Sequence, residues 1–454
     1  MTISANRSQL FWSPVLGWAL LSCLSSGAQA QEETATPALQ TIEQVGIDAD
    51  ALPVELPSGS GGGISRQETG ITLGAYTLYP ALEVLGGYND NVFTTNQYIT
   101  GTPPVASAFT LVKPSLELRS EWLNHSIRAV ASGGFGFYAN APTQNYQNFV
   151  LGIDGKFEIF EDFYVTGKIA FVQATEALGT PNVAFAQAPT VDISVPVELS
   201  VYQKFNRFFY QVTGAATQYT FYDNSLITSQ GLPGYSRNYT GYDENIRLGY
   251  ELFDDTAFFI SPGLNQRIYQ QVVNAAGQQR DSRGWYFTGG ATSKLGPKSQ
   301  LEGFVGYQTL SYLSDGTTTG SSVFGLRGSW NGYPPLVLRP MILRSINESA
   351  LANYQNFIST IIGVDFTYDV HGPWQAVGGT SFNTADYTPA FGVPNVNPRT
   401  DYFFKGSLGL MYSLRPQLQI GPLYEYTQAW TTDIAAGGPQ YNSNQISIRL
   451  ITRR

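Results

Sequence analysis

The feature that most constrains this chain is a repeated alternation. In one short segment after another, apolar side chains occupy every second position. Phe149, Leu151, Ile153, Phe157 and Ile159 alternate with Val150, Gly152, Asp154, Lys156 and Glu158. Ile358, Ile362, Val364, Phe366 and Tyr368 alternate with Ser359, Gly363, Asp365, Thr367 and Asp369, and Ile446, Ile448 and Leu450 with Gln445, Ser447 and Arg449. A period of two sends the two sets to opposite faces of a strand. Neither a helix nor a doubly buried strand accommodates that pattern.

Composition decides which solvent meets the apolar face. Charged residues make up 13% of the 454 residues, about half the usual share of a soluble domain. The mean hydropathy of -0.12 excludes a bundle of apolar helices. Aromatics reach 14%, with 28 Tyr and 27 Phe, and there are 47 Gly. This combination fits membrane strands that are apolar on one side only. A soluble all-β protein also alternates. Three features weigh against it: a leader for export, aromatic clusters at strand ends (Phe208-Phe209-Tyr210, Tyr402-Phe403-Phe404), and connections that alternate between short and long.

The expected fold is all-β, a transmembrane antiparallel β-barrel of about 18 strands, with 16 or 20 as the neighbouring counts. The strand pairs are expected at 80–91 and 109–120, 123–137 and 147–160, 162–174 and 189–203, 206–222 and 238–251, and 255–270 and 281–293. They continue at 299–310 and 321–331, 336–345 and 355–370, 374–385 and 400–412, and 415–430 and 442–452. An even count places both chain ends in the periplasm. In hydrocarbon every backbone donor and acceptor needs an internal partner, so such a sheet must close on itself. Pro340 falls inside an expected strand and has no N–H to give, which predicts a bulge or a shifted boundary there.

Three regions are expected: 1–30, 31–70 and 71–454. Arg7, the apolar run from Leu10 to Leu24 and the small-x-small site Ala28-Gln29-Ala30 read as a signal peptide, because the run is short, contains Pro14 and lacks a stop-transfer flank. The only cysteine, Cys23, would leave with it. Leu20-Leu21-Ser22-Cys23 faintly resembles a lipidation site, but a leucine precedes the serine where small residues are favoured. N-terminal sequencing should therefore find Gln31 first, and a lipidated Cys23 in that position would reverse the reading. Residues 31–70 are acidic, poor in aromatics and contain Ser58-Gly59-Ser60-Gly61-Gly62-Gly63, which predicts a flexible periplasmic segment.

Function has to be sought on the polar face. Alternation assigns Lys113, Glu117, Arg119, Asp154, Lys156, Glu158, Lys168, Asp243, Arg247, Glu251, Glu302, Asp365, Asp369, Lys405 and Arg449 to the lumen. The plain alternative is that these charges only keep the lumen wet and neutralise one another; a selectivity ring needs several at one height. A net charge of -9 without a basic patch gives no support for nucleic-acid binding. His125 and His371 are the only histidines, and no spacing offers a catalytic pair, a metal site or a cofactor motif. The chain is therefore expected not to be an enzyme.

One block carries a resemblance. Leu73-Gly74-Ala75-Tyr76-Thr77-Leu78-Tyr79-Pro80-Ala81-Leu82-Glu83-Val84, followed by Gly86-Gly87-Tyr88-Asn89-Asp90-Asn91-Val92-Phe93, resembles the opening of the outer-membrane family called beta-barrel porin 2. Pro114-Ser115-Leu116, Ser120-Glu121-Trp122, Gly249-Tyr250-Glu251 and Gly306-Tyr307 suit its general style. The resemblance covers about 80–454 and supplies no catalytic residues. It implies an outer-membrane barrel surrounded by lipid and inserted by the barrel-assembly machinery. It further implies passive transport of small hydrophilic solutes or, alternatively, a structural or exopolysaccharide-secretion role. Asn89, Asp90 and Asn91 offer hard oxygens for calcium or sugar at the rim, but their spacing lacks a full coordination pattern, and the favoured reading is ordinary loop residues after a strand end. The last residue, Arg454, departs from the aromatic ending common among barrels.

Overall fold

The computed structural model describes residues 70–454 except 182–188, 223–230, 254, 296–298, 315, 334 and 436. The expected signal peptide and nearly all of the segment 31–70 lie outside the described residues. Among the described residues the strands are β1 (Ile71–Leu73), β2 (Tyr76–Asn89), β3 (Ser107–Ser120), β4 (His125–Tyr138), β5 (Tyr146–Phe160), β6 (Phe163–Glu176), β7 (Thr190–Phe205), β8 (Phe208–Tyr222), β9 (Tyr239–Phe253), β10 (Thr256–Tyr269), β11 (Ser282–Lys294), β12 (Gln300–Tyr312), β13 (Thr318–Tyr333), β14 (Leu336–Glu348), β15 (Tyr354–His371), β16 (Trp374–Pro389), β17 (Arg399–Arg415), β18 (Leu418–Thr431) and β19 (Tyr441–Arg453). Each pairs antiparallel with its sequence neighbour, and β19 pairs with β2, so that 18 strands form a closed ring.

At the closing seam, β2 shares one edge between two partners. β19 covers Ala81 to Asn89, and the short β1 covers Tyr76 to Leu78. Arg454 N–H adds a bond to the Pro80 carbonyl between them. The edge is thus covered along its length, as hydrocarbon requires.

One end of the ring turns tightly. Connections there are mostly two residues long, and Asp162, Asn206 and Gly372 take positive φ (63°, 57° and 58°) that a β-branched residue would resist. The opposite end carries the long connections, such as 90–106, 177–189 and 223–238. Tight turns mark the periplasmic end of such barrels, so both ends of the described chain lie on that side.

Prolines inside strands leave a signature. Pro340 sits in register opposite Val364 of β15, while the β13–β14 ladder passes it over, from Arg327 opposite Met341 to Trp330 opposite Leu338. A register shift follows between Trp330 and Tyr333. The expected irregularity is present, and it belongs to one ladder only, because the missing N–H affects one neighbour. Pro114, Pro196, Pro262 and Pro422 likewise stand at gaps in one of their two ladders.

The two faces differ sharply. On β10, Phe258, Ile260, Leu264 and Ile268 are exposed, while Ala257, Phe259, Ser261, Arg267 and Tyr269 are buried. Exposed apolar residues ring the outside, where only lipid covers them. Aromatic contacts border this band. Trp285–Tyr307 (6.2 Å) and Tyr402–Trp430 (5.4 Å) lie toward the outer side, and Trp374–Tyr412 (4.8 Å) toward the periplasmic turns. Ile153, mid-strand on the outer face of β5, tests this arrangement. Ile153→Arg should cost about 2–4 kcal/mol of folding stability in lipid vesicles. Asp154→Asn, which weakens a half-exposed ion pair with Arg128, should cost less than about 1 kcal/mol. Equal urea midpoints for the two variants would contradict the orientation.

Candidate functional site

Strand register places the candidate charges on the inner face and shows what each one meets. Around the middle of the ring the contacts join opposite signs across neighbouring strands. Glu83 on β2 stands between Lys113 (3.8 Å) and Arg449 (2.7 Å). Asp154 pairs with Arg128 (2.9 Å), and Lys405 with Glu425 (3.5 Å). Glu302 lies between Arg247 (3.1 Å) and Arg327 (3.4 Å), with the Arg247 guanidinium 3.6 Å from the Phe259 ring. Lys168 is opposite Glu198, and Asp365 opposite Arg339.

Toward the periplasmic turns, Glu117 pairs with Arg119 (2.7 Å), and Arg119 lies over Tyr79. Lys156 lies over Tyr164, and Glu251 pairs with Lys204 (2.9 Å). Asp369 accepts from Gln375 (2.7 Å), while the backbone N–H of Glu158 donates to His125 Nδ1 (3.2 Å). On the outer half, Asp243 accepts from the Tyr286 hydroxyl (2.8 Å). Most of the charges therefore meet as mixed-sign pairs, while Lys156, Asp243 and Asp369 meet aromatic or neutral polar groups. The partners Glu83, Arg128, Glu198, Arg327, Arg339 and Glu425 become visible only once register is known.

The outer mouth holds a set of residues that alternation did not single out. The β13–β14 ladder stops at Phe324 opposite Arg344, although β12 pairs with β13 as far as Thr318 and β15 pairs with β14 as far as Glu348. Beyond that point the wall overlaps itself. Ile346, on the outward-facing row of β14, is fully buried against Leu310 and Tyr312 from the inner face of β12. Asn356 Nδ2 donates to Tyr312 Oη and to Thr319 Oγ1, both at 2.9 Å. Arg267 of β10 pairs with Glu348 of β14 at 2.5 Å. Neighbouring strands are about 4.8 Å apart, so β10 and β14 are separated by roughly 19 Å along the wall. Two side chains bridge that separation only if the end of β14 has folded inward.

The tip joining β14 to β15 is held from several sides. Arg280 donates to the carbonyls of Ser349 (2.6 Å), Tyr354 (2.9 Å) and Gln355 (2.9 Å). Leu232 N–H donates to Ala350 O (2.7 Å), beside a bridge between Gly231 and Leu351. Leu351, Tyr354, Phe357, Ala385 and Tyr387 form a buried cluster. From the β6 side, the carbonyls of Pro181 and Gly179 accept from the Tyr387 and Tyr441 hydroxyls. Two buried ion pairs complete the mouth: Arg399 with Asp401 (2.7 Å, neither exposed), and Arg237 forked onto Glu176 (2.6 and 2.8 Å). Arg280 and Arg237 escaped the sequence reading because they lie in connections, where alternation has nothing to say.

Asn89, Asp90 and Asn91 act as pegs at the seam. Asn89 accepts from Ser443 Oγ (3.0 Å), Asp90 accepts from Asn444 N and Nδ2 (both 2.7 Å), and Asn91 Nδ2 donates to Asn442 O (2.8 Å). The side-chain oxygens of Asn89 and Asp90 serve the β2–β19 closure, while Asn91 Oδ1 accepts from Thr95 N in the loop that follows (3.0 Å). No group of ligating side chains suited to a metal ion occurs among the described residues.

A closed antiparallel ring, apolar outside and charged inside, defines a transmembrane β-barrel, and its place is the outer membrane. Residues 66–454 match the family described as "Putative beta-barrel porin 2", and the chain belongs to that family. Among solved structures it is similar to Pseudomonas aeruginosa OccK5 (OpdH), at 9% identity and a TM-score of 0.41 over 83% of this chain and 98% of that one. It is also similar to the siderophore receptor PirA from Pseudomonas aeruginosa, at 8% identity and a TM-score of 0.39 over 83% and 80%. The FrpB iron transporter from Neisseria meningitidis shares 11% identity at a TM-score of 0.42 over 78% and 62%. A comparison with curated proteins finds no match.

Proposed function

We propose that this barrel is a porin-like conduit through which small hydrophilic solutes diffuse passively across the outer membrane, closed at its outer mouth in the state described above. The observation that carries this reading is the inner belt of partly exposed, mixed-sign charges: Glu83 with Lys113 and Arg449, Asp154 with Arg128, and Lys405 with Glu425. A belt of partly accessible ions at mid-barrel suits a hydrated interior, since dry burial of so many charges is costly. Lys156, Arg247, Asp365 and Arg449 are then the groups expected to bias ion preference. No ATP and no covalent step is involved.

Purified protein in planar bilayers tests it. Wild type should give rare, discrete conducting events, and variants that loosen the mouth should give frequent ones. A barrel that stays sealed in every such variant would reject the conduit. Loss of surface polysaccharide on deleting the gene, with solute uptake unchanged, would favour the secretion role instead.

A further inference from the structure

The overlap at the outer mouth has a geometry that specifies a second state. From these contacts we infer that the β14–β15 tip is the gate: it moves between the overlapped position and one in which β14 continues its ladder along β13. The inference rests on reading the barrel as a conduit, but the movement can be observed without any conductance.

Three observations carry it. First, β13 is long enough to receive the missing partner. Thr318–Val323 pairs with β12 and has no β14 partner in the ladder, while Ser345–Glu348 pairs with β15 alone. Continuing the register beyond Phe324 and Arg344 sets Val323 opposite Ser345, Ser322 opposite Ile346, Ser321 opposite Asn347 and Gly320 opposite Glu348. Second, β14 keeps a wall-strand pattern through the departure. Ile342, Arg344, Ile346 and Glu348 occupy the outward row, and Leu343, Ser345 and Asn347 the inward row. When zipped, Ile346 would face outward beside Ser322, next to the Trp285–Tyr307 contact at the outer border of the apolar band. Glu348 would reach the aqueous rim. Third, the β14–β15 ladder is continuous from Leu336 opposite Tyr368 to Glu348 opposite Asn356, and β15 stays paired with β16 as far as Tyr354 opposite Pro389, so the outer ends of the three strands move together.

The contacts that hold the overlapped state are local and separable. They include Ile346 on Leu310 and Tyr312, Asn356 on Tyr312 and Thr319, Arg267 on Glu348, Arg280 on three tip carbonyls, and Leu232 on Ala350. The zipped state exchanges them for ladder bonds along a free edge. Opening would also carry Leu351, Tyr354 and Phe357, and with them the buried cluster they form with Ala385 and Tyr387, back toward the wall. One movement would thus clear the lumen and seal the wall.

Two cysteine pairs test the gate. The chain's single cysteine, Cys23, lies in the expected leader, so each pair stands alone. Thr319→Cys with Asn356→Cys joins side chains that touch in the overlapped state. Ser322→Cys with Ile346→Cys joins positions adjacent only in the zipped state. Cross-linking is read by gel mobility of folded barrels in membranes, and conductance separately in bilayers, both in an Arg280→Ala background. The first pair should cross-link fast and lower the frequency of conducting events at least about tenfold, restored by reductant. The second should cross-link more slowly and hold the barrel open. Failure of the second pair to cross-link in the loosened background overturns the gate. So does a cross-linked first pair that conducts as before. If both pairs cross-link and no variant conducts, the movement stands and the conduit reading falls.

Discussion

Arg280→Ala should unlatch the outer mouth. The guanidinium is buried and donates to the carbonyls of Ser349, Tyr354 and Gln355, which no alanine replaces. A hydrogen bond from a charged donor contributes about 1.5–3 kcal/mol, and a buried acceptor left without its donor costs about 1–3 kcal/mol. The three carbonyls regain water if the tip moves, so the latched state alone is penalised. Taking about 3 kcal/mol as a restrained total, the balance shifts by roughly a hundredfold toward release. The loop 349–353 should then become accessible to external protease on intact cells, and conducting events should become correspondingly frequent. Arg280→Lys keeps one donor and should fall between wild type and alanine. A tip as resistant to protease in Arg280→Ala as in wild type would show that the latch lies elsewhere, with the Leu351 cluster or the Arg267–Glu348 pair as the remaining candidates.

The wall of the barrel was legible in the sequence, and its mouth was not. Period-two alternation works where lipid meets one face and polar surroundings meet the other, because each position is sorted by its immediate solvent. All of the expected strand segments recur with ends displaced by a few residues, as in β8 (Phe208–Tyr222) and β16 (Trp374–Pro389). The turns were less legible: Asp162, expected as the first residue of a strand, lies in the turn before β6 with a positive φ. The same rule fails at Ile346. Its place in the alternation marks it for lipid, yet it is buried against Tyr312, and nothing local distinguishes it from Ile362 lower on the lipid side of the same hairpin. Inward folding is decided by contacts between β10, β12 and β14, which are far apart in sequence. For the charged residues, alternation gives a face and not a partner. Arg247 and Glu302 are two strand pairs apart in the sequence and meet at 3.1 Å only because the sheet curves.

Glu302→Ala and Glu83→Ala should affect ion preference alike and stability very differently. Each glutamate stands between two cations: Glu302 between Arg247 and Arg327, and Glu83 between Lys113 and Arg449. Removing either leaves an uncompensated positive cluster on the inner face, so reversal potentials under a salt gradient should move toward anion preference in both variants. The stability costs diverge because the surroundings do. The side chains of Glu302 and Arg247 are 7% and 6% exposed, so deleting the carboxylate strands Arg247 beside Phe259 with little water to solvate it. Breaking a buried pair in this way costs about 3–5 kcal/mol. At Glu83 the three side chains are 19–28% exposed, and water takes over from the lost partner. The cost there should stay below about 1 kcal/mol. Glu302→Gln separates charge from shape, since it keeps the volume and one acceptor while moving the reversal potential as alanine does. Urea unfolding in lipid vesicles provides the comparison. Were Glu302→Ala no less stable than Glu83→Ala, water would have to reach Arg247 from the lumen.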